Sequence, residues 1–219
     1  MILNQFLSLA EFQCSEKNLQ LSNDPIMLLE HSFSDFGDAD AVLLIDSGNS
    51  RQSIFFEAKV KTSLGKLWSI SKEFERFEKG MSSKVSSSNL FMQLYLKQAL
   101  MEGLQKMEIR RLQSEGIPFP AWSSKRCRKL GKNEVVKRGA ELLKSGSSSS
   151  HYVAIVPDEA RIVRQFIKRD LGKLRAPRLE YCNTDHWGFM TWKSIRDFCQ
   201  NSGLEQTERA FKHNEGQIY

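Results

Sequence analysis

The chain has 219 residues, of which 40% are hydrophobic and 26% charged, and its net charge is +6 at pH 7. This length suffices for one large domain with a full hydrophobic core, and the composition is ordinary for a globular protein. No apolar run approaches the length of a membrane span, and the first residues lack the basic start of a signal peptide. The sequence therefore predicts a cytoplasmic protein without a membrane partner.

Several common classes of site have no support in the sequence. The four cysteines, Cys14, Cys127, Cys182 and Cys199, form no CxxC pair, which disfavours a zinc site and a disulfide framework. There is no P-loop and no GxGxxG motif, so nucleotide hydrolysis is not indicated. The four histidines are dispersed and suggest no catalytic arrangement with serine or cysteine.

The first quarter of the chain predicts a helix followed by three strands. Residues 2–12 carry apolar side chains at helical spacing, and residues 26–33 are typical of a strand. Two more strands, at about 40–46 and 53–61, flank a short turn rich in Gly, Asn and Ser. This pattern predicts a β-hairpin.

Three charged residues lie at one end of this hairpin. Side chains alternate along a strand, so Glu57 and Lys59 point to the same face. A turn near residues 48–49 makes paired residue numbers sum to about 97–99, which places Asp40 opposite residues 57–59. A solvated strand with cross-strand ion pairs is the simpler alternative. However, the neighbouring residues are apolar, and buried charges are usually paired or bind metal.

The arrangement resembles the catalytic pattern of the PD-(D/E)xK nuclease superfamily, the restriction-endonuclease-like phosphodiesterases. In this resemblance Asp40 matches the first Asp, Glu57 the second acid and Lys59 the lysine, while Ala39 stands in place of the usual Pro. The resemblance covers about residues 30–100 and implies a phosphodiesterase that uses a metal ion.

The resemblance also implies which groups hold the metal. Asp40 and Glu57 would bind Mg²⁺, with the backbone carbonyl of Ala58 as a further ligand. Mn²⁺ would be able to replace Mg²⁺. Mg²⁺ suits such a site because it keeps several waters and takes only one or two protein carboxylates. Lys59 would support the attacking water and the charge of the transition state.

Auxiliary residues follow from the same resemblance. An upstream acid often completes the metal site in this superfamily; Glu11 matches best by position, and Glu30 is the second candidate. The helix predicted from residue 90, after an N-cap at Asn89, carries Gln93 and Lys97 one turn apart. Members of the superfamily often place a Gln or Lys of this helix beside the metal. A plain amphipathic helix explains Gln93 equally well.

The rest of the chain predicts alternating helices and strands. Expected helices lie at 64–79, 133–144, 158–174 and 192–201; expected strands lie at 152–156, 179–182 and 188–191; and a serine-rich linker is expected at 145–150. This order predicts an α/β fold, with a mixed central β-sheet flanked by helices and a restriction-endonuclease-like core that carries an insertion at about 105–150. Residues 1–204 would form one domain, and residues 205–219 a loose polar tail.

The charge is unevenly distributed along the chain. Residues 1–58 hold nine acids and two bases, while residues 121–144 and 161–178 each carry a net charge of +6. Basic segments of this kind hold polyanions, although a merely solvated basic surface gives the same pattern. The side chains expected to contact nucleic acid are Lys125, Arg126, Arg128, Lys129, Arg164 and Lys168.

The sequence thus leads to a Mg²⁺-dependent nuclease with nucleic acid as partner, DNA more than RNA. The catalytic residues would be Asp40, Glu57, Lys59 and Gln93. A nuclease-like subunit that binds nucleic acid or assembles a complex without cleaving is the main alternative, and an RNase is another. A homodimer or larger complex is a further expectation, because cutting both strands usually requires two sites.

Overall fold

The computed structural model describes residues 2–13, 25–47, 50–63, 66–145, 147–174, 180–216 and 218. The strands in these residues are β1 (Glu11–Phe12), β2 (Ile26–Ser32), β3 (Asp38–Ser47), β4 (Ser50–Ala58), β5 (Thr62–Ser63), β6 (Lys66–Leu67), β7 (Ile117–Pro118), β8 (Cys127–Arg128), β9 (Ser147–Val156) and β10 (Trp187–Thr191). The α-helices are α1 (Ile2–Leu7), α2 (Ile70–Gly80), α3 (Leu90–Lys106), α4 (Ile109–Ser114), α5 (Glu134–Lys144), α6 (Ala160–Arg169), α7 (Trp192–Asn201) and α8 (Glu205–His213).

Six of these strands form a mixed sheet in the order β1-β10-β9-β4-β3-β2. Strands β2, β3 and β4 pair antiparallel, whereas β9 is parallel to both β4 and β10. Parallel neighbours need a long crossover, and α3 lies in the connection from β4 to β9. The predicted α/β class with a mixed sheet flanked by helices is confirmed.

The central strands β3, β4 and β9 bury both of their faces because they alternate apolar side chains between them. Val42, Phe55 and Tyr152 face the larger core, which includes the buried face of α3. Leu43, the next residue after Val42, and Phe56, the next after Phe55, point to the opposite face. There they belong to a second core with residues of α1, α7 and α8. Strands β3 and β4 are therefore covered on both faces over most of their length.

Helix α3 is the most buried helix of the fold. Its N-cap is Asn89, as predicted, whose side chain accepts hydrogen bonds from the backbone N–H groups of Phe91 (3.0 Å) and Met92 (3.2 Å). The helix is buried along most of its length, and even Lys97 has no exposed area. Its position across the larger core brings α3 against the ends of β3 and β4.

Two local predictions about helices and linkers are wrong. The helix expected over residues 2–12 ends at Leu7, because Glu11–Phe12 forms the edge strand that pairs with β10. The linker expected at 145–150 instead supplies Ser147–Ser150 to β9. The hydroxyls of Ser53 and Ser150 meet at 2.8 Å inside the sheet, so these small polar side chains are satisfied there.

Three further segments differ from expectation. The helix expected from residue 64 begins at Ile70, after the short ribbon formed by β5 and β6. Within the expected loose tail, Glu205–His213 forms α8, and its Phe211 packs against Trp192 with ring centroids 6.0 Å apart. Of the strand expected at 179–182, Leu179 lies outside the described residues and residues 180–182 form no strand.

Candidate metal site and cleft

The hairpin register places Asp40 and Glu57 at neighbouring strand ends. The β3–β4 ladder pairs residues whose numbers sum to 97, and its last pair is Ala41 with Phe56. Beyond that pair the Asp40 side chain bridges to the next strand, where its Oδ2 accepts a hydrogen bond from the backbone N–H of Ala58 at 2.6 Å. The predicted register is therefore confirmed, and Asp40 closes the open end of the hairpin.

Glu57 forms a buried ion pair that sequence reasoning did not identify. Its Oε1 lies 3.1 Å from Nζ of Lys97, and the two side chains are 1% and 0% exposed. The ammonium group of Lys97 also donates hydrogen bonds to the backbone carbonyls of Asp38 (2.8 Å) and Phe36 (3.1 Å). Lys97 thereby joins α3 to Glu57 and to the segment that leads into Asp40.

Both members of this pair have shifted pKa values. Burial raises the pKa of Glu57, against the attraction of Lys97, and the nearby charge of Asp40 raises it further. Burial lowers the pKa of Lys97, against the attraction of Glu57. Removing two charges from water is costly, so the pair is weak evidence of stabilisation. Perturbed titratable groups of this kind are concentrated at functional sites.

Lys59 and Gln93 meet at the same end of the sheet. Nζ of Lys59 donates a hydrogen bond to Oε1 of Gln93 and another to the backbone carbonyl of Ser88 at 3.4 Å. Gln93 lies on α3 one turn before Lys97. The same side of the helix therefore contacts Glu57 on β4, through Lys97, and Lys59 just after β4, through Gln93. The structure therefore brings Asp40, Glu57, Lys59 and Gln93 together.

A cleft of about 500 Å³ opens beside this cluster. Asp40, Gln93 and Ser88 line it on the side of the cluster, and Ser124 and Lys125 line it from the segment between β7 and β8. Part of the predicted basic run thus lies across the cleft from the acidic strand end.

The basic run at residues 125–129 does not act as one surface. The ammonium group of Lys125 is exposed and pairs with Asp35 in the cleft wall. Burial would raise the pKa of Asp35, but hydrogen bonds from Lys125 and from the backbone of Lys129 hold it below its usual value. Arg126 and Lys129 are exposed.

The prediction that Arg128 belongs to an exposed basic surface is wrong. Only 3% of this residue is exposed. Its guanidinium group donates hydrogen bonds to the backbone carbonyl of Asp35 and to the hydroxyls of Ser123 (3.0 Å) and Ser124 (3.2 Å), and it lies over the ring of Phe119. Arg128 therefore braces the cleft wall and is not free to bind a phosphate group.

Glu11 does not join the site. Glu11 and Glu57 lie in the same row across the sheet but three strands apart. The row runs from Glu11 on β1 through Phe189 on β10 and Ala154 on β9 to Glu57 on β4. Three strand spacings of ~4.8 Å separate the backbones of Glu11 and Glu57 by about 14 Å, too far for them to share a metal ion. Glu11 instead pairs with Arg164 of α6 at 3.1 Å.

Glu30, the second upstream candidate, lies closer. It falls between the β2–β3 pairs formed by Leu29 with Ala41 and by His31 with Ala39, so it stands beside Asp40 in the register. Its φ of 46° is in the left-handed region, and its side chain is exposed.

Two of the residues expected to contact nucleic acid, Arg164 and Lys168, belong to α6. Both are exposed and lie one helical turn apart.

The donor set of the cluster is small. No group of three His, Cys, Asp or Glu side chains in the described ranges is arranged to hold a metal ion. Two carboxylates are present, in Asp40 and Glu57, and Mg²⁺ needs no more than one or two. The resemblance already named Lys97 with Gln93 on the helix expected beside the metal, but the sequence carried no sign of its ion pair with Glu57.

Comparisons of the chain with protein-family models, with curated proteins and with solved structures gave no match. The fold defines an α/β protein with a mixed six-stranded sheet, and no helix of the described residues is long and apolar enough to cross a membrane. Function is therefore inferred from the geometry of the site.

Proposed function

We propose that this chain is a Mg²⁺-dependent nuclease that hydrolyses phosphodiester bonds of DNA. One observation carries the proposal: Asp40, Glu57, Lys59 and Gln93 converge where β3 and β4 end, beside a cleft whose far wall carries Lys125. Acids that hold a cation and bases that hold a polyanion are the two requirements of metal-dependent phosphodiester cleavage.

The residues present fit a single Mg²⁺ ion. Asp40 Oδ1 accepts no hydrogen bond from the described residues, whereas Oε1 of Glu57 lies 3.1 Å from the Lys97 ammonium group and has no other partner among them. The exposed Asp40 carboxylate and the buried Glu57 carboxylate together offer oxygen ligands of the kind that Mg²⁺ takes. Asp40, Glu57 and the carbonyl of Ala58 would hold the ion, with water in the remaining positions.

The protein groups around the ion have separable roles. When bound, Mg²⁺ supplies a more acidic water and neutralises phosphate charge. Lys59 carries a fixed positive charge beside Glu57, and its bond to Gln93 orients the ammonium group. Preorganised charge of this kind stabilises the negative charge that develops during attack on phosphorus. Lys125 and the hydroxyls of Ser88 and Ser124 offer contacts for the backbone of the substrate.

One observation favours a second candidate function, a nuclease-like subunit that binds nucleic acid without cleaving it. The ammonium group of Lys97 already neutralises Glu57. If Lys97 keeps that position, Glu57 has less negative charge to offer a metal ion, and the cleft would act as a binding surface only.

Nicking of supercoiled plasmid separates these candidates. The protein is incubated with plasmid in Mg²⁺, in Mn²⁺ and in EDTA, next to Lys59→Ala and to the control Lys193→Ala, an exposed lysine on α7. We expect metal-dependent nicking by the wild type and the control, and almost none by Lys59→Ala. Binding without nicking in either metal would favour the second candidate. A single-stranded RNA of matched length tests the RNase alternative, because metal chemistry itself does not distinguish the sugars.

A further inference from the structure

The strand β2 forms an open edge of the main sheet. It pairs with β3 on one side, and no other strand of the described residues pairs with its outer edge. Its side chains are unusually apolar for such a position: Met27 is 60% exposed and Leu29 is 64% exposed. Edge strands with apolar side chains are templates for pairing with another strand, and proteins normally protect them.

Met27 and Leu29 point to one face of the sheet, and the opposite face, toward which Leu28 points, carries helix α5 beside β2. A groove of about 350 Å³ lies between them, with Leu28 and His31 on the strand side and Val135 and Leu142 on the helix side. Val135 is 69% exposed, although it is β-branched and apolar. Of the eight large hydrophobic residues that are exposed in the described chain, three lie on β2 (Ile26, Met27 and Leu29) and one lies on α5 (Val135). Clustering on this scale marks an interaction surface.

The charges at the groove identify the kind of partner. Glu134 and Arg138 both line the groove, and both side chains are exposed. A nucleic acid requires a positive surface, whereas this groove is lined by apolar side chains with one acid and one base. Mixed charge around an apolar centre suits a surface that meets a copy of itself, because each acid can then face a base across the symmetry axis.

We propose that two copies of this chain associate through β2, with their edge strands antiparallel about a two-fold axis at Leu28. Residues that lie directly opposite each other in two paired strands point to the same face of the sheet. A two-fold axis perpendicular to the sheet keeps each side chain on its own face, so two paired residues of β2 must be an even number of positions apart. One residue of β2 therefore pairs with its own copy at the axis. With the axis at Leu28, Met27 of each copy lies opposite Leu29 of the other copy. Pro25 and the left-handed backbone of Glu30 bound the extended segment that pairs. This proposal does not depend on the activity of the metal site.

Sedimentation velocity of the free protein over a hundredfold range of concentration tests the proposal. We expect a reversible monomer–dimer equilibrium that Met27→Lys/Leu29→Lys weakens at least tenfold. The matched control is Ile2→Lys/Leu67→Lys, which places lysine at two exposed apolar residues outside β2 and α5. The control should associate like the wild type, and circular dichroism should show that both double variants are folded.

A charge exchange on α5 tests the orientation. Glu134→Arg alone makes the groove uniformly positive and should weaken the dimer, whereas Glu134→Arg with Arg138→Glu should restore it. A wild type that is monomeric at every concentration overturns the proposal. A dimer that survives Met27→Lys/Leu29→Lys overturns it too, because the two copies would then meet elsewhere.

Discussion

The ammonium group of Lys97 and the carboxylate of Glu57 lie 3.1 Å apart, and neither side chain has more than 1% of its surface exposed. Breaking a buried pair by removing one partner leaves an uncompensated charge in the interior. Lys97→Met should therefore lower the free energy of unfolding by about 3–5 kcal/mol. Urea unfolding measures the change, and Lys97→Met with Glu57→Gln should recover part of it. Equal stability of the single and double variants would show that the pair is not electrostatically coupled.

Asp40→Asn should weaken metal binding without disturbing the hairpin. The amide oxygen of Asn can still accept the hydrogen bond from Ala58, so melting in EDTA should stay close to that of the wild type. The loss of a carboxylate should reduce Mn²⁺ affinity at least tenfold, which calorimetry can measure. Asp46→Asn, at the other end of β3, is the control and should bind Mn²⁺ normally. Unchanged Mn²⁺ binding by Asp40→Asn would remove Asp40 from the metal site.

Lys59→Ala should separate metal binding from turnover. An ammonium group has no lone pair and cannot ligate a metal, so Mn²⁺ affinity should be unchanged or slightly higher. Turnover should fall by about a hundredfold or more, the usual scale for loss of one charge-stabilising group. Calorimetry and plasmid nicking on one preparation measure both effects. Full nicking activity in this variant would contradict the proposed role of Lys59.

The basic run should divide into a binding part and a structural part. Lys125→Ala/Arg126→Ala should weaken DNA binding and flatten the dependence of log K on log salt by about 0.9 for each phosphate that the protein no longer neutralises. Arg128→Ala should instead lower the melting temperature, because its buried guanidinium group braces the cleft wall. Fluorescence anisotropy at four salt concentrations tests the first part. A slope unaltered by the double substitution would assign these residues to a solvated surface.

His31 should make the protein less stable in mild acid. Burial lowers its pKa, and its Nε2 has no hydrogen-bond partner among the described residues. The folded state therefore favours the neutral ring, while the unfolded chain takes up a proton below its ordinary pKa of about 6.5. Stability is lost as pH falls through that value towards the lower folded pKa. Urea unfolding at pH 7 and pH 5 should show a smaller difference for His31→Leu than for the wild type or for the exposed control His213→Leu.

The parts of the fold that could be predicted are those that depend on local sequence. The hairpin register follows from the position of its turn, and the Asn89 cap and the bounds of α7 follow from residues within one helical turn. Long-range contacts decide the rest. Ser147–Ser150 lies in a strand because a strand about a hundred residues earlier pairs with it, and α8 forms because Phe211 finds an apolar pocket.

The candidate site shows the same division. Alternation and register bring Asp40, Glu57 and Lys59 to one end of the sheet, and helical spacing identifies Gln93. The Glu57 ion pair depends on how α3 crosses the sheet, which the pattern of α3 does not specify because the helix is apolar on most sides.

The three oxygen atoms around Lys97 have a consequence for how the site is assembled. Glu57 belongs to β4, the carbonyls of Phe36 and Asp38 belong to the segment before and at the start of β3, and the ammonium group that joins them arrives on α3. The hairpin can form its own hydrogen bonds without α3, but it lacks the ammonium group that forms the buried ion pair with Glu57. The site is therefore completed only when α3 docks, and a partial unfolding that lifts this helix would expose the acid and dismantle the cleft wall in one cooperative event. Amide hydrogen exchange should accordingly report matching opening free energies for the first turns of α3 and the start of β3.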